Sequence, residues 1–88
     1  VKTIHTPGHT PGSVCYFLPD ASMLFTGDTL FRGSIGRTDL PGGDPYAMKN
    51  SLEKLLLLED SVIVYPGHGA RTTIGEERKS NPFLSKFC

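Results

Sequence analysis

Short apolar runs, separated by glycine and proline, set the pattern of the first third of the chain. Three runs rich in β-branched and aromatic residues span residues 1–6, 13–18 and 22–26. They are separated by typical turn sequences, Pro7-Gly8, Pro11-Gly12 and Pro19-Asp20. Closely spaced strands that are joined by turns predict a small antiparallel meander.

The apolar spacing changes to a helical period after residue 43. Asp44 and Pro45 predict a helix start, because Asp caps the first turn and Pro loses no hydrogen bond at the first helical position. One apolar face then follows at helical spacing, formed by Met48, Leu52, Leu55 and Leu56. We therefore predict a helix over residues 44–57. The preceding residues 27–43, rich in Gly, Arg and Asp, are predicted to form a long irregular loop.

A strand and a short helix are the last predicted elements. Residues 61–66 are almost wholly apolar, which predicts a strand buried on both faces and covered by the first helix. Thr73 and Glu76 have the spacing of a capping box, so a short helix is predicted over residues 74–80, ending before Pro82. At this end of the chain we expect a structural network of Glu76, Arg78 and Asn81.

Charge and composition argue against several classes of function. The 88 residues carry nine Lys and Arg against nine Asp and Glu, a net charge of zero, so we expect neither a nucleic-acid partner nor a membrane partner. Two cysteines without CxxC spacing, Cys15 and Cys88, favour a reducing, cytoplasmic compartment. The chain opens on a strand with no initiator Met, so we expect a piece of a longer protein.

Three polar residues follow an apolar strand and a glycine: His9 after Gly8, Asp28 after Gly27 and His68 after Gly67. Glycine lets the backbone turn sharply at a strand end, so that the next side chain points into a crevice. Two imidazoles and a carboxylate, with no thiolate, are typical of zinc, iron or manganese sites. The alternative is that each is only a turn residue. His5 lies within a strand without such a glycine, and we interpret it as a partly buried strand or supporting residue.

Four further residues flank these positions. Arg32 and Arg37 follow Asp28 and have the chemistry to hold a substrate carboxylate, although exposed loop charges or salt-bridge partners are an equal alternative. Thr10 and Thr29 each follow a candidate ligand and are predicted to orient it through a hydrogen bond.

The segments around these residues resemble a known family. Residues 6–13 (TPGHTPGS), 25–31 (FTGDTLF) and 65–69 (YPGHG) resemble the later metal-binding motifs of the metallo-β-lactamase fold, in particular its glyoxalase II-like hydrolases. Residues 31–40 (FRGSIGRTDL) and 72–77 (TTIGEE) resemble the compact bacterial branch. The resemblance implies an α/β (α+β) fold, the C-terminal half of an αββα sandwich, with a small, mostly antiparallel sheet and one long and one short helix on one face.

The resemblance also implies a function. His9 would bind a first metal ion, Asp28 would bridge two ions, and His68 would bind the second. Two zinc ions, with iron or manganese as alternatives, would hydrolyse a thioester of the S-lactoylglutathione type through a metal-bound hydroxide.

One departure from the family limits this expectation. The His-x-His-x-Asp-His motif of the earlier half of such domains does not occur in residues 1–88, so the chain is expected to be the C-terminal half alone. The missing half, or self-association, would then cover the exposed sheet. The alternatives are a non-catalytic fragment or association module, and a mononuclear iron sulfur dioxygenase.

Overall fold

The computed structural model describes residues 1–84, which form a five-stranded sheet, a two-stranded hairpin and two α-helices. In chain order the elements are β1 (Lys2–His5), β2 (Val14–Leu18), a 3-10 turn (Pro19–Ala21), β3 (Met23–Gly27), β4 (Leu30–Phe31), β5 (Ser34–Ile35), α1 (Pro45–Leu55), β6 (Ile63–Pro66), β7 (Thr72–Thr73) and α2 (Ile74–Ser80). None of the helices in this part of the chain is long and apolar enough to cross a bilayer.

The large sheet has the strand order β1-β2-β3-β6-β7. Strands β1, β2 and β3 pair antiparallel, β6 pairs parallel to β3, and β7 returns antiparallel to β6. The predicted meander and the mostly antiparallel sheet are therefore confirmed. Because β3 and β6 run parallel, the turns that follow them lie at the same edge of the sheet, and the turn after β1 lies there too.

Helix α1 begins where the sequence predicts. The Asp44 carboxylate accepts hydrogen bonds from the backbone N–H groups of Tyr46, at 2.9 Å, and Ala47, at 3.2 Å. Its buried face is formed by Met48, Ser51, Leu52 and Leu55. The helix ends at Leu55, two residues before the predicted end.

Both helices pack on one face of the sheet, as the resemblance implies. The core joins sheet residues to helix residues and consists of Cys15, Leu24, Leu30, Met48, Leu52, Leu55, Val62, Val64, Ile74 and Leu84. Burial raises the pKa of the Cys15 thiol, and Cys88 lies outside the described residues. Helix α2 has the predicted bounds, and the Thr73 hydroxyl accepts from the Glu76 N–H at 3.1 Å.

The opposite face of the sheet is open, so the prediction that residues 61–66 are buried on both faces is wrong for this chain. Val64 is buried, but Ile63 and Tyr65 are half-buried. Tyr65 stacks on Phe25 with 5.3 Å between ring centroids, and Phe25 pairs with Tyr16 on the next strand. We call Tyr16, Phe25 and Tyr65 the aromatic row. Tyr16 and Phe25 are exposed and Tyr65 is half-buried, because both helices lie on the other face.

Residues 27–43 are more ordered than the sequence predicts. They contain the β4–β5 hairpin, in which Leu30 pairs with Ile35 and Phe31 with Ser34. Gly33 turns the chain with φ +76°, and its N–H donates to the buried Glu77 carboxylate at 2.8 Å. The hairpin was missed because its two strands are too short for a period and are held from another part of the chain.

The predicted C-terminal network is only partly correct. Asn81 is buried and donates to the carboxylate of Glu77, at 2.9 Å, rather than to exposed Glu76. Arg78 instead donates to the Asp60 carboxylate at 3.0 Å and to the Leu56 carbonyl at 2.7 Å. One helical turn separates Glu77 from Asn81, so Glu77 and not Glu76 faces the same side.

Candidate metal centre

His9 lies in the β1–β2 loop, which helix α1 holds in place. Gly8 has φ +144°, and a Cβ at this position would lie 2.5 Å from the Met48 Cα, so only glycine allows the loop to approach the helix. The Gly8 carbonyl accepts from the Asp44 N–H at 2.8 Å, and the Pro7 carbonyl accepts from the Ser51 hydroxyl at 2.7 Å. The start of α1 therefore fixes the position of His9.

Asp28 follows β3 in a tight turn. Gly27 has φ +51°, which favours glycine, and the Thr29 N–H donates to the Thr26 carbonyl at 2.9 Å. The buried Thr26 hydroxyl donates to the Leu30 carbonyl at 2.7 Å and so stabilises the turn from its buried side. This arrangement directs Asp28 out of the sheet edge, with its side chain 48% exposed.

His68 follows β6, and its turn packs directly on the turn of Asp28. The Gly67 N–H donates to the Gly27 carbonyl at 2.8 Å, and a Cβ on Gly67 would lie 3.0 Å from that same oxygen. The two turns are thus neighbours because β3 and β6 pair in parallel. The imidazole itself is 81% exposed.

The Asp28 carboxylate lies between the two imidazoles. Its Oδ2 is 3.8 Å from the His9 Nε2, and its Oδ1 is 3.3 Å from the His68 Nδ1. The same cleft is also lined by Phe31, Ser34, Ile35, Gly36 and Arg37. The structure therefore brings together the three residues that the sequence predicts as ligands, with one carboxylate oxygen facing each imidazole.

The donor set fits a nitrogen- and oxygen-ligated metal. Two ligands of one tetrahedral zinc, each about 2.0–2.1 Å from the ion, are roughly 3.3 Å apart, which is the spacing of Asp28 and His68. Within residues 1–84, however, no His, Cys, Asp or Glu residues form a group of three compact enough for a single ion. Asp28 and His68 thus have the spacing of two ligands of one ion, and the described residues offer no third ligand for that ion.

The imidazole of His9 is oriented by a backbone carbonyl. Its Nδ1 lies 2.9 Å from the Arg37 carbonyl oxygen, which only accepts, so Nδ1 carries the proton and Nε2 is left facing Asp28. Sequence reasoning missed this contact, because every residue has a carbonyl group and no side-chain pattern marks one that is used.

Gly36 sets the distance between this backbone segment and Asp28. Its N–H donates to the Thr29 carbonyl at 3.1 Å, and a Cβ on Gly36 would lie 1.8 Å from the Asp28 carbonyl oxygen. The residue is buried, and the added Cβ would also lie 3.3 Å from the His9 Cβ. Glycine is needed at this position because the backbone segments of Gly36 and Asp28 approach closely. In the sequence, Gly36 is only one glycine among several in a loop.

The two threonines occupy places that differ from their predicted role. The Thr10 hydroxyl hydrogen-bonds to the Ser13 hydroxyl at 2.6 Å and so stabilises the β1–β2 loop. Thr29 is buried and lies 3.3 Å from the Thr6 hydroxyl beneath the site. Neither hydroxyl bonds to a candidate ligand; the Arg37 carbonyl does so instead.

The arginines and His5 lie at different distances from the cleft. Arg37 lines it, but its guanidinium makes a bidentate pair with Asp39, with both N···O distances 2.8 Å, so a substrate carboxylate would have to displace Asp39. Arg32 is exposed at the hairpin turn, outside the residues that line the cleft. His5 is exposed, contrary to the predicted partial burial, because its ring reaches outward to the Pro11 carbonyl at 2.9 Å.

The Arg37–Asp39 pair leads to a pH prediction. The guanidinium hydrogen bonds lower the pKa of the Asp39 carboxyl from 3.8 to about 2. Because the folded-state pKa is depressed, the pair's contribution is present above pH 3.8 and is lost as the pH falls through about 2. A carboxyl titration followed by NMR should place the Asp39 midpoint near 2, and Arg37→Gln should return it towards 3.8. An unchanged midpoint in that variant would refute the pairing in solution.

Comparison with known proteins places this geometry in a family. Residues 1–68 match the family model of the metallo-beta-lactamase superfamily. Hydroxyacylglutathione hydrolase GloC of Haemophilus influenzae is 51% identical over 85 residues, 96% of this chain and 40% of that protein. The crystal structure of TTHA1623 in a di-iron-bound form superimposes with a TM-score of 0.92 at 52% identity, covering 94% of this chain and 42% of that one. ETHE1 from Myxococcus xanthus gives a TM-score of 0.88 at 38% identity, covering 96% and 39%.

The chain spans about two fifths of the length of the curated relatives it matches, 40% of the Haemophilus enzyme and 42% of a Bacillus subtilis relative. The match nevertheless includes all three turns that carry His9, Asp28 and His68, because the family model extends over residues 1–68. The fold agrees with the implied αββα half, since TTHA1623 superimposes on 94% of this chain. This chain belongs to the metallo-beta-lactamase superfamily.

Proposed function

We propose that the protein to which this chain belongs is a metal-dependent hydrolase, and that His9, Asp28 and His68 supply part of a two-metal site. One observation carries the proposal: the Asp28 carboxylate presents one oxygen to each imidazole, at 3.8 Å and 3.3 Å. A carboxylate shared in this way suits a bridging ligand between two ions. We propose zinc as the metal, with iron or manganese as alternatives that the same donors accept.

Metal ions bound here would supply Lewis acidity, lowering the pKa of a coordinated water and polarising a substrate carbonyl. The chain's own residues do the positioning. The Arg37 carbonyl holds the His9 Nδ1 proton, so that Nε2 points to the cleft. The Gly27 carbonyl holds the Gly67 N–H at 2.8 Å, so that the turns of Asp28 and His68 keep a fixed separation. Arg37 and the more distant Arg32 are the candidate groups for an anionic end of the substrate.

The proposed substrate is a thioester of the S-lactoylglutathione type. The similarity to hydroxyacylglutathione hydrolase GloC, 51% over 96% of this chain, supports it. The cleft contains no thiol, since among the described residues the one cysteine, Cys15, is buried on the core side of the sheet. The one hydroxyl that lines the cleft, on Ser34, donates to the Ile35 carbonyl at 3.4 Å and not to a histidine that could act as its base. Hydrolysis by an activated water is therefore the reaction class that the chemistry of these residues favours.

The whole protein tests this proposal with a pair of matched histidine variants. We expect His68→Gln to lower the zinc content measured by elemental analysis and to lower kcat/KM for S-lactoylglutathione on the order of 100-fold or more, since a metal ligand is lost. His5→Gln is the control, because His5 is exposed and its ring hydrogen-bonds to the Pro11 carbonyl, at 2.9 Å, and not to a residue of the cleft. Equal zinc content and activity in both variants would exclude His68 as a ligand.

Iron is a second candidate metal, because a similar structure, TTHA1623, is a di-iron-bound form. The alternative function that we consider with iron, a mononuclear iron sulfur dioxygenase, would consume oxygen, whereas a hydrolase would not. An oxygen electrode, with iron-loaded and zinc-loaded protein, separates the two. Oxygen uptake with a persulfide substrate, and no thioester hydrolysis, would replace the hydrolase proposal.

The remaining part of the longer protein is the proposed cover for the aromatic row and the proposed source of further ligands. The row is apolar, with Tyr16 47% and Phe25 38% exposed, and lies opposite the helices. Such a surface needs a partner or promotes association. If the 88 residues alone form a soluble monomer without metal affinity, they act as the non-catalytic fragment that we consider as the alternative.

A further inference from the structure

A buried carboxylate behind the cleft contacts neither the candidate ligands nor solvent. Glu77, on helix α2, is 1% exposed, and nothing in the proposed reaction uses it. Its Oε1 accepts from the Gly33 N–H at 2.8 Å and from the Asn81 side-chain N–H at 2.9 Å. Its Oε2 accepts from the Thr72 hydroxyl at 2.7 Å. A buried charge that is satisfied by three donors is held strongly in one place.

The partners of Glu77 belong to the two segments that flank the cleft. Gly33 turns the β4–β5 hairpin, which begins two residues after Asp28. Thr72 starts β7, directly after the turn that carries His68. Asn81, which is also fully buried, donates a second bond to the hairpin, to the Ser34 carbonyl at 3.0 Å. One carboxylate thus links the chain that follows Asp28 to the chain that follows His68.

The hairpin in turn positions the backbone that orients His9. Leu30 pairs with Ile35, and the next residue, Gly36, donates to the Thr29 carbonyl at 3.1 Å. Arg37 follows, and its carbonyl accepts the His9 Nδ1 proton at 2.9 Å. A shift of the hairpin would therefore move the carbonyl that sets the direction of the His9 ring.

We propose that Glu77 is a positioning residue, whose hydrogen bonds hold together the segments that follow two candidate ligands, Asp28 and His68. The inference rests on the proposed metal function of these residues. Glutamine at this position retains all three bonds: its oxygen accepts from Gly33 and Asn81, and its amide donates to the Thr72 hydroxyl, which rotates to accept. Methionine has a similar length but accepts none of the three, so hydrogen bonding is separated from packing.

The test uses the whole protein and Zn²⁺ alone as the probe. We expect Glu77→Met to weaken Zn²⁺ binding, measured by chelator competition, by 10- to 100-fold, the range typical for partners that support a metal ligand. Glu77→Gln should bind within about threefold of the unchanged protein. Val62→Ala is the stability control, because Val62 is buried before the start of β6, at the end opposite His68. We expect Val62→Ala to bind Zn²⁺ as tightly as the unchanged protein, even where its Tm falls as much as that of Glu77→Met.

Backbone amide exchange in the metal-free protein gives a readout that depends on neither metal nor activity. We expect Glu77→Met to accelerate exchange at Gly33 and Gly36 at least tenfold more than Val62→Ala does. If Glu77→Met does not fold, Thr72→Val removes one bond at constant size and should weaken Zn²⁺ binding in the same direction. The inference is overturned if Glu77→Met binds Zn²⁺ as tightly as Val62→Ala does. It is also overturned if Glu77→Gln weakens Zn²⁺ binding as much as Glu77→Met does. Absence of Zn²⁺ binding in the unchanged protein overturns the proposed function instead, and amide exchange still decides whether Glu77 holds the hairpin.

Discussion

Gly36→Ala should weaken metal binding by the whole protein at least tenfold, although residue 36 carries no functional group. A methyl group at this position would lie 1.8 Å from the Asp28 carbonyl oxygen and 3.3 Å from the His9 Cβ. Since the obstructing atom is backbone, the turn of Asp28 or the 36–37 segment has to move. Forced overpacking of a buried position costs about 1–3 kcal/mol or more in unfolding free energy. The displacement separates the Arg37 carbonyl from His9 as well, so both candidate ligands lose their support.

Zinc stoichiometry and thermal unfolding measure this result. We expect at least a tenfold to hundredfold loss of zinc affinity, the range for disrupted support of a ligand, together with a lower Tm. Gly12→Ala is the matched control: beyond its chain neighbours no heavy atom would lie within 4 Å of the added methyl group, and its φ is not in the left-handed region. If Gly36→Ala binds zinc as tightly as Gly12→Ala, the close approach does not determine the site.

Asp28→Asn should have the largest effect of any single side-chain change at the cleft. An amide retains one acceptor oxygen but replaces the other with an NH₂ group, which cannot ligate a cation. Because each carboxylate oxygen faces a different imidazole, at 3.8 Å and 3.3 Å, the amide can serve only one side. We expect the loss of one of two zinc ions and a fall in kcat/KM on the order of 10³-fold, corresponding to several kcal/mol of transition-state stabilisation.

The fold should survive this change, since Asp28 is half exposed and anchors no part of the core. Asp20→Asn is the control, because Asp20 is exposed in the 3-10 turn before β3, at the end of that strand remote from Asp28. Circular dichroism and elemental analysis of both variants make the comparison. Two zinc ions per molecule in Asp28→Asn would contradict a bridging role for this carboxylate.

Local sequence signals were sufficient for the elements that follow a period or carry their own cap. Asp44 and Thr73 cap their helices with their own side chains, so both starts could be predicted. The β4–β5 hairpin could not, because its stability comes from Glu77, 44 residues further along the chain than Gly33. The open face could not be predicted either, because the almost wholly apolar run of residues 61–66 does not show which of its two faces is covered.

The candidate site, like the fold, has features that the sequence predicts and features that it does not. Each candidate ligand follows a glycine, and the structure gives a reason in each case: a positive φ at Gly8 and Gly27, and a close approach at Gly67. The sequence shows these positions as a repeated pattern, a glycine directly before each candidate ligand. The contact of the Arg37 carbonyl and the packing of Gly36 could not be predicted, because they depend on where two distant backbone segments meet. The sequence did allow a salt bridge as the alternative role of Arg37, and the structure shows one with Asp39. It did not identify Asp39 as the partner, because a charge two residues away is common in any loop.

The aromatic row also gives the chain a built-in optical label. The 88 residues contain three tyrosines and no tryptophan, and two of the tyrosines, Tyr16 and Tyr65, belong to the row. Two of the three tyrosines therefore emit from the open face, where the Tyr65 ring lies 5.3 Å from that of Phe25. Any segment or partner that covers this face will change the polarity around these two rings together. Covering of the open face can thus be followed by ultraviolet fluorescence without any introduced dye.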